Sequence, residues 1–357
     1  MKNVLFQMTD HTFSDAVKRN VGEYFSSHNL EKKGNWELYA KAILFIPLAF
    51  GIYLYILLGH YSQMTGILLY IALGACFSMV AVNVMHDACH GSFSEKKWVN
   101  DVMGLTMNAI GSNAYLWKIR HTVHHTFTNI EGMDYDIDNW PMLRQSPTQG
   151  WKPVHRYQYL YMFPIYALST IEWMLVSDFT KYFSRKVSST RIQKIRLPDH
   201  LVFWGSKAIC VITYIVIPVW FLGWQNWLIG FCIVHFIMGL SLTIIFQLAH
   251  LVENTHFEEA EKDVKQISSE WAVHQVVTTS NFATDNKILS WCAGGLNFQI
   301  EHHLFPFVSH IHYPAISEMI RNECSRHNLP YHCYPTLGKA FISHIHFMKK
   351  LGMKPCQ

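Results

Sequence analysis

Apolar residues are bunched along this chain. Residues 42–58 (AILFIPLAFGIYLYILL) and 66–85 (GILLYIALGACFSMVAVNVM) carry no charge, and neither does the link GHYSQMT between them. Each stretch approaches the roughly 20 apolar residues that cross a hydrocarbon core of about 30 Å. A second pair at 201–222 and 226–250 turns at the uncharged GWQN, with Trp220, Trp224 and Trp227 placed as an interfacial belt. The pattern predicts an all-α integral membrane protein with four transmembrane helices in two hairpins, at about 42–59, 66–87, 201–222 and 226–250, and a cytoplasmic helical cap over 251–350. Residues 157–179 are aromatic and apolar but interrupted by Pro164, Glu172 and Asp178. They are read as one helix lying in the interface, since a fifth span would put the positive tail on the wrong side. In the segment 1–40, Phe13, Val17, Val21, Tyr24 and Phe25 recur at helical spacing, which predicts an amphipathic helix on the membrane surface. Residues 270–283 (EWAVHQVVTTSNFA) read as a further helix.

Charge orients the spans. Of 29 Lys and Arg, six precede the first span, 13 lie between the hairpins and nine follow the fourth. Positive residues stay on the cytoplasmic side, so both termini and the central loop are expected there. Lys207, near the start of the third span, is expected to snorkel to that surface. The net charge of +4 is then a topology signal with some affinity for anionic lipid, and does not point to nucleic acid. The first 41 residues contain Asp10, Asp15 and Glu23 and no long apolar core, unlike a cleaved signal. Eight scattered cysteines form no CxxC, and Cys76, Cys210 and Cys232 fall inside predicted spans. Reduced thiols are expected.

Histidine changes the picture most. Among 22 histidines, some close pairs are background, and His344 with His346 is read that way. His310 and His312, in SHIHYP, are kept as candidates for orienting a site or touching substrate. HDACH sets His86 and His90 at i, i+4, a spacing by which one helical face offers two imidazoles to one ion. HTVHH offers His121, His124 and His125. NFQIEHHLFP adds His302 and His303, with Gln299 one turn earlier, and His250 closes the fourth span. By span length all of these emerge at one surface. A lone case such as His235, in mid-span, is read as a hydrogen-bonded buried side chain. Eight converging imidazoles lack enough partners to be desolvated that way. They also exceed the four ligands of a structural zinc site, so two transition-metal ions with positions left open fit better.

HDACH, WKIRHTVHH and NFQIEHHLFP, in that order and separated by these spans, resemble the three histidine boxes of the membrane fatty acid desaturases, over about residues 40–335. The Gln of the third box resembles the front-end subgroup. The resemblance implies a desaturase domain over 41–350 and two iron ions with O2 as co-substrate and no tightly bound heme. His86, His90, His121, His124, His125, His302 and His303 would be ligands, and His250 matches a ligand the family takes from the end of its fourth span. Gln299 stands where many relatives carry another histidine; a direct ligand and a residue beside the ligands are both open. Asp134 and Asp136 resemble a family pattern after the second box and are expected to orient its imidazoles. Trp117, Arg120, Asn281 and His274 are further candidates for supporting the site or meeting substrate.

The implied reaction removes two hydrogens from adjacent carbons of an acyl chain carried on CoA or a lipid, inside an apolar channel. Lys118, Arg120, Arg191, Lys194 and Arg196 are candidates for a headgroup or CoA phosphates. The segment before the first span has no HPGG heme motif and no room for a fused cytochrome b5 domain, so a separate donor of cytochrome b5 or ferredoxin type is expected. The expected location is a bacterial inner membrane, in preference to the endoplasmic reticulum. A di-iron lipid hydroxylase or ketolase would use the same ligands. A non-enzymatic metal-binding membrane protein would instead gather ligands near the midplane.

Overall fold

A computed structural model describes residues 5–6, 11–138, 142–258, 266–267 and 269–354. The chain is mostly helical. Among the described residues, three helices are long and apolar enough to cross a membrane: Trp36–Leu58, Gln63–His90 and Leu197–His250. The first starts earlier than the apolar run because Asn35 caps it, its side chain accepting from the Glu37 N–H at 2.9 Å. Ser62 caps the second in the same way through Thr65.

The helical run Leu197–His250 is broken at Gly223, whose φ of 76° and ψ of 156° are not helical. The Trp227 indole N–H donates to the Tyr214 carbonyl at 2.6 Å. In a straight helix those residues would stand about 20 Å apart. The chain therefore doubles back at the turn expected from GWQN, giving arms 197–222 and 224–250. Gly74 of the second helix lies against this hairpin, where an added Cβ would come within 2.8 Å of the Val234 carbonyl.

Four expectations need correction. Residues 157–179 do not form one helix: Pro153–Ala167 and Ser169–Ser184 are bent by 56°. Both halves are tied down, the first where Ala167 O would lie 2.4 Å from a Cβ on Gly239. The second is held by Lys207, which does not snorkel. Its buried ammonium donates to Gly111 O and Met174 O at 2.9 Å and to Asp178 Oδ2 at 2.8 Å, so a fully paired charge replaces the route to water. The amphipathic helix, Thr12–Ser27, buries Phe13, Val17, Val21 and Phe25 against Ala272, Val276, Ile316 and Ile320. Periodicity identified the buried face, but its partner is protein and not lipid.

The fourth correction concerns 270–283. The helix is Trp271–Thr278, and Asn281–Phe282 pairs in parallel with Cys333–Tyr334. Thr278 and Thr279 turn their hydroxyls back onto His274 O and Gln275 O, which competes with continuing the helix.

Candidate metal centre

The second helix reaches the site through a five-residue π-helical segment, Ala81–Met85, followed directly by His86–His90. A π segment inserts a residue into the α repeat and re-aims the side chains after it. Gly91, at φ 70°, ends the helix. The third box is pressed onto this segment by Gly294 (φ 59°) and Gly295 (φ 67°). A Cβ on Gly294 would lie 2.3 Å from the Val82 carbonyl, and one on Gly295 would lie 2.7 Å from the His310 Cβ. Only glycine allows that approach. The second box sits on Ala114–Thr126, capped by Asn113.

These elements bring all eight histidines into one cluster. The donor atoms of His86, His90, His121 and His302 lie within 4.8 Å of one another, as do those of His124, His250 and His303. His125 groups with His302 and His303 and stands between the two sets, its Nε2 3.1 Å from that of His121. His86 Nε2 is also 3.1 Å from His121 Nε2.

The rings are held from behind. His124 Nδ1 donates to Asp134 Oδ2 at 3.0 Å, and His303 Nδ1 donates to Gln275 Oε1 at 2.8 Å. His302 Nδ1 lies 3.1 Å from the Tyr313 hydroxyl. The Nε2 atoms of all three are buried without a hydrogen-bond partner, as are His90 Nε2 and both nitrogens of His250. Burial, reinforced by neighbouring imidazoles, holds His121, His125, His302 and His303 well below the ordinary histidine pKa. Burial is the largest influence on His124 too and opposes its charge, but the carboxylates of Asp134 and Asp136 together raise that ring. Neutral imidazoles with inward, unpartnered lone pairs are costly in a dry interior and suit transition-metal ions. The residues present fit two such ions.

The other candidates fall into place as follows. Gln299 starts the helix Gln299–Leu304, and its Oε1 is buried without a partner. Trp117 stacks on His121 at 4.3 Å. Asp136 Oδ2 is 3.6 Å from His124 Nδ1, while its Oδ1 binds Arg120. His310 sits behind the first box, 3.0 Å from Asp87 Oδ1 and 3.1 Å from Lys41 Nζ. His274 Nε2 bonds the Thr128 carbonyl at 2.8 Å. Asn281 does not reach a ligand: it bonds Glu301 Oε2 at 2.8 Å and the Ile300 N–H at 2.9 Å, fixing the third-box helix. His312 lies off the site, against Lys33 O and Phe25. Asp87, Gln275 and Tyr313 were missed. Asp87 lies inside HDACH and Tyr313 beside SHIHYP, whereas nothing in the sequence singles out Gln275.

A cavity opens beside the cluster, lined by Met85, Trp173, Leu242, Phe246, Gln299 and Arg120 together with ring edges of His86, His121, His302 and His303. Apolar side chains share its walls with polar ones, among them Asp136, Ser169, Thr243 and Gln247, a mixture that suits a ligand with an apolar body and a polar end.

The sequence matches the family described as Fatty acid desaturase over residues 61–335. It is 33% identical over 346 residues to the sn-1 linoleoyl-lipid 6-desaturase of Arthrospira platensis, covering 96% of this chain and 93% of that protein. A protein of the same name from Synechocystis sp. is 30% identical, with 95% of each covered. The acyl-lipid (8-3)-desaturase of Physcomitrium patens is 28% identical over 95% of this chain and 71% of that protein. Three histidine boxes folded onto one buried cluster, in a sequence that matches over most of its length, have one consistent explanation: the chain belongs to the fatty acid desaturase family and is an oxidoreductase of lipid metabolism.

Proposed function

We propose that this chain is an acyl-lipid desaturase of the front-end type, placing a double bond on the carboxyl side of an existing one. The observation that carries the metal centre is the set of buried, unpartnered Nε2 atoms on converging rings. His86, His90, His121 and His302 would hold one iron and His124, His250 and His303 the other, with His125 between them. The iron pair, when bound, supplies the oxidising power toward an unactivated C–H bond that no side chain has. The acyl chain loses two hydrogens, and with two electrons and two protons from the donor side one O2 ends as two waters. A donor of cytochrome b5 or ferredoxin type supplies the electrons.

The chain's own residues provide geometry. Asp134, Gln275 and Tyr313 hold imidazoles through Nδ1 so that Nε2 faces inward. Gln299 adjusts one iron's surroundings through its amide oxygen. Met85, Trp173, Leu242 and Phe246 exclude water and hold the acyl chain beside the cluster. Four spans, with the arms 197–222 and 224–250 counted separately, set the centre and both termini on the cytoplasmic side, as the Lys and Arg distribution supports. The relatives named as linoleoyl-lipid and acyl-lipid desaturases support a lipid carrier over CoA.

The test is expression in a host lacking polyunsaturated lipids, with linoleate supplied, followed by double-bond location in the membrane lipids and metal analysis. A new bond nearer the carboxyl end, with about two irons per chain and no heme, is expected. An oxygenated product, or zinc in place of iron, overturns the reading.

A further inference from the structure

Among the described residues that line the cavity beside the histidine cluster, Arg120 is the only Lys or Arg. It is neither a loose surface charge nor a bare one. Asp136 binds its guanidinium at both Nε and Nη2. The planar group lies over Trp173 at 5.0 Å and Tyr135 at 5.3 Å. The other oxygen of Asp136 is 3.6 Å from His124 Nδ1, so one carboxylate separates the guanidinium from a ring of the cluster. The side chain keeps 12% of its surface accessible while forming part of the cavity wall.

We infer that Arg120 recognises the ester carbonyl of the acyl lipid and so sets the distance from the carboxyl end at which the chain is desaturated. This rests on the acyl-lipid reading above. A guanidinium has five N–H donors in a fixed fork, and Asp136 engages only one edge of it. Because Asp136 already balances its charge, the remaining donors suit a neutral acceptor better than a phosphate, whose approach would bring a second anion beside the carboxylate. The glycerol ester carbonyl is such an acceptor. The chemistry also demands one close by. The two relatives named as linoleoyl-lipid 6-desaturases carry in that name a position only a few bonds from the carbonyl, so the group that reads it must stand near the cluster. Surface residues such as Arg191, an exposed strand residue, do not meet that requirement.

The test uses two glycerolipids that differ only in the linoleoyl linkage, one ester and one ether, the ether lacking the carbonyl. Binding to the full-length detergent-solubilised protein, and to its Arg120→Leu and Arg120→Lys variants, is read by lipid-induced thermal stabilisation. Iron content and product double-bond position are measured in parallel. Wild type should prefer the ester by about 10-fold or more, the range for a hydrogen bond to a charged group. Arg120→Leu should bind both lipids alike, keep its iron and spread the product over neighbouring positions. Arg120→Lys should retain part of the preference. Equal binding of the two lipids by wild type, or an ester preference intact in Arg120→Leu, overturns the inference. So does loss of iron from both variants, which would make Arg120 a support for Asp136 only. Turnover of acyl-CoA with no lipid product is a different failure, that of the acyl-lipid reading itself.

Discussion

Two populations of buried histidine share this molecule. His235 and His344 are as enclosed as the cluster, yet Nδ1 of the first and both ring nitrogens of the second find partners. His235 Nδ1 meets Thr170 Oγ1 at 3.0 Å. His344 donates from Nδ1 to Leu251 O at 2.7 Å, and its Nε2 lies 3.0 Å from the Tyr166 hydroxyl. In the cluster, Nδ1 of His124 and His303 is anchored in the same fashion but Nε2 is left bare. Burial by itself therefore does not mark a candidate metal ligand. The mark is a ring fixed on one side, with an unpaired nitrogen aimed at others like it.

The difference is broken most severely at the third box. His302→Ala and His303→Ala should each abolish desaturation and reduce bound iron, because each removes a bare nitrogen that no neighbour replaces. Full turnover with a full iron complement in either variant would remove that residue from the ligand set. Gln299→Ala sharpens the contrast between ligand and neighbour. An amide oxygen is a weaker donor than imidazole, so this variant should lose most activity and keep most of its iron. Wild-type turnover there would reduce Gln299 to packing.

Asp134→Asn probes the anchor and leaves the ligand in place. An amide can still accept from His124 Nδ1, but it no longer fixes that tautomer by charge. Iron affinity should fall by about 10- to 100-fold, the usual range for a residue that orients a metal ligand. A metal titration against wild type gives the answer, and an unchanged affinity would show that Asp136 alone suffices.

How much of this was legible beforehand follows from the range of each interaction. The long apolar helices and the histidine boxes are local in sequence, and the apolar runs and i, i+4 spacing displayed them. The π segment that aims His86, and the docking of Gly294 onto Val82, are long-range fits with no periodic signature. Gln275 holds His303 across 28 residues, and its neighbours look like an ordinary helix. Lys207 was misread because its partner, Asp178, approaches from a different helix. His344 lies outside the cluster, as expected, but its partners, Tyr166 and Leu251, are far away in sequence and nothing local displays them.

The smallest expected effect concerns His344, which separates a structural histidine from a ligand by its response to acid. Burial lowers its pKa to about 4 from an ordinary value of 6.5. Below pH 6.5 the unfolded chain takes up a proton at this position that the folded chain refuses, so the group's contribution to stability falls as pH drops towards 4. The loss is at most about 1.4 kcal/mol per pH unit. Glutamine does not titrate and can still donate to Leu251 O. His344→Gln should therefore cost about 1 kcal/mol at pH 7, leave iron content unchanged, and flatten the fall in thermal midpoint between pH 6 and 4.5. Iron loss in this variant would merge the two populations, and an acid slope identical to wild type would show that His344 does not set it.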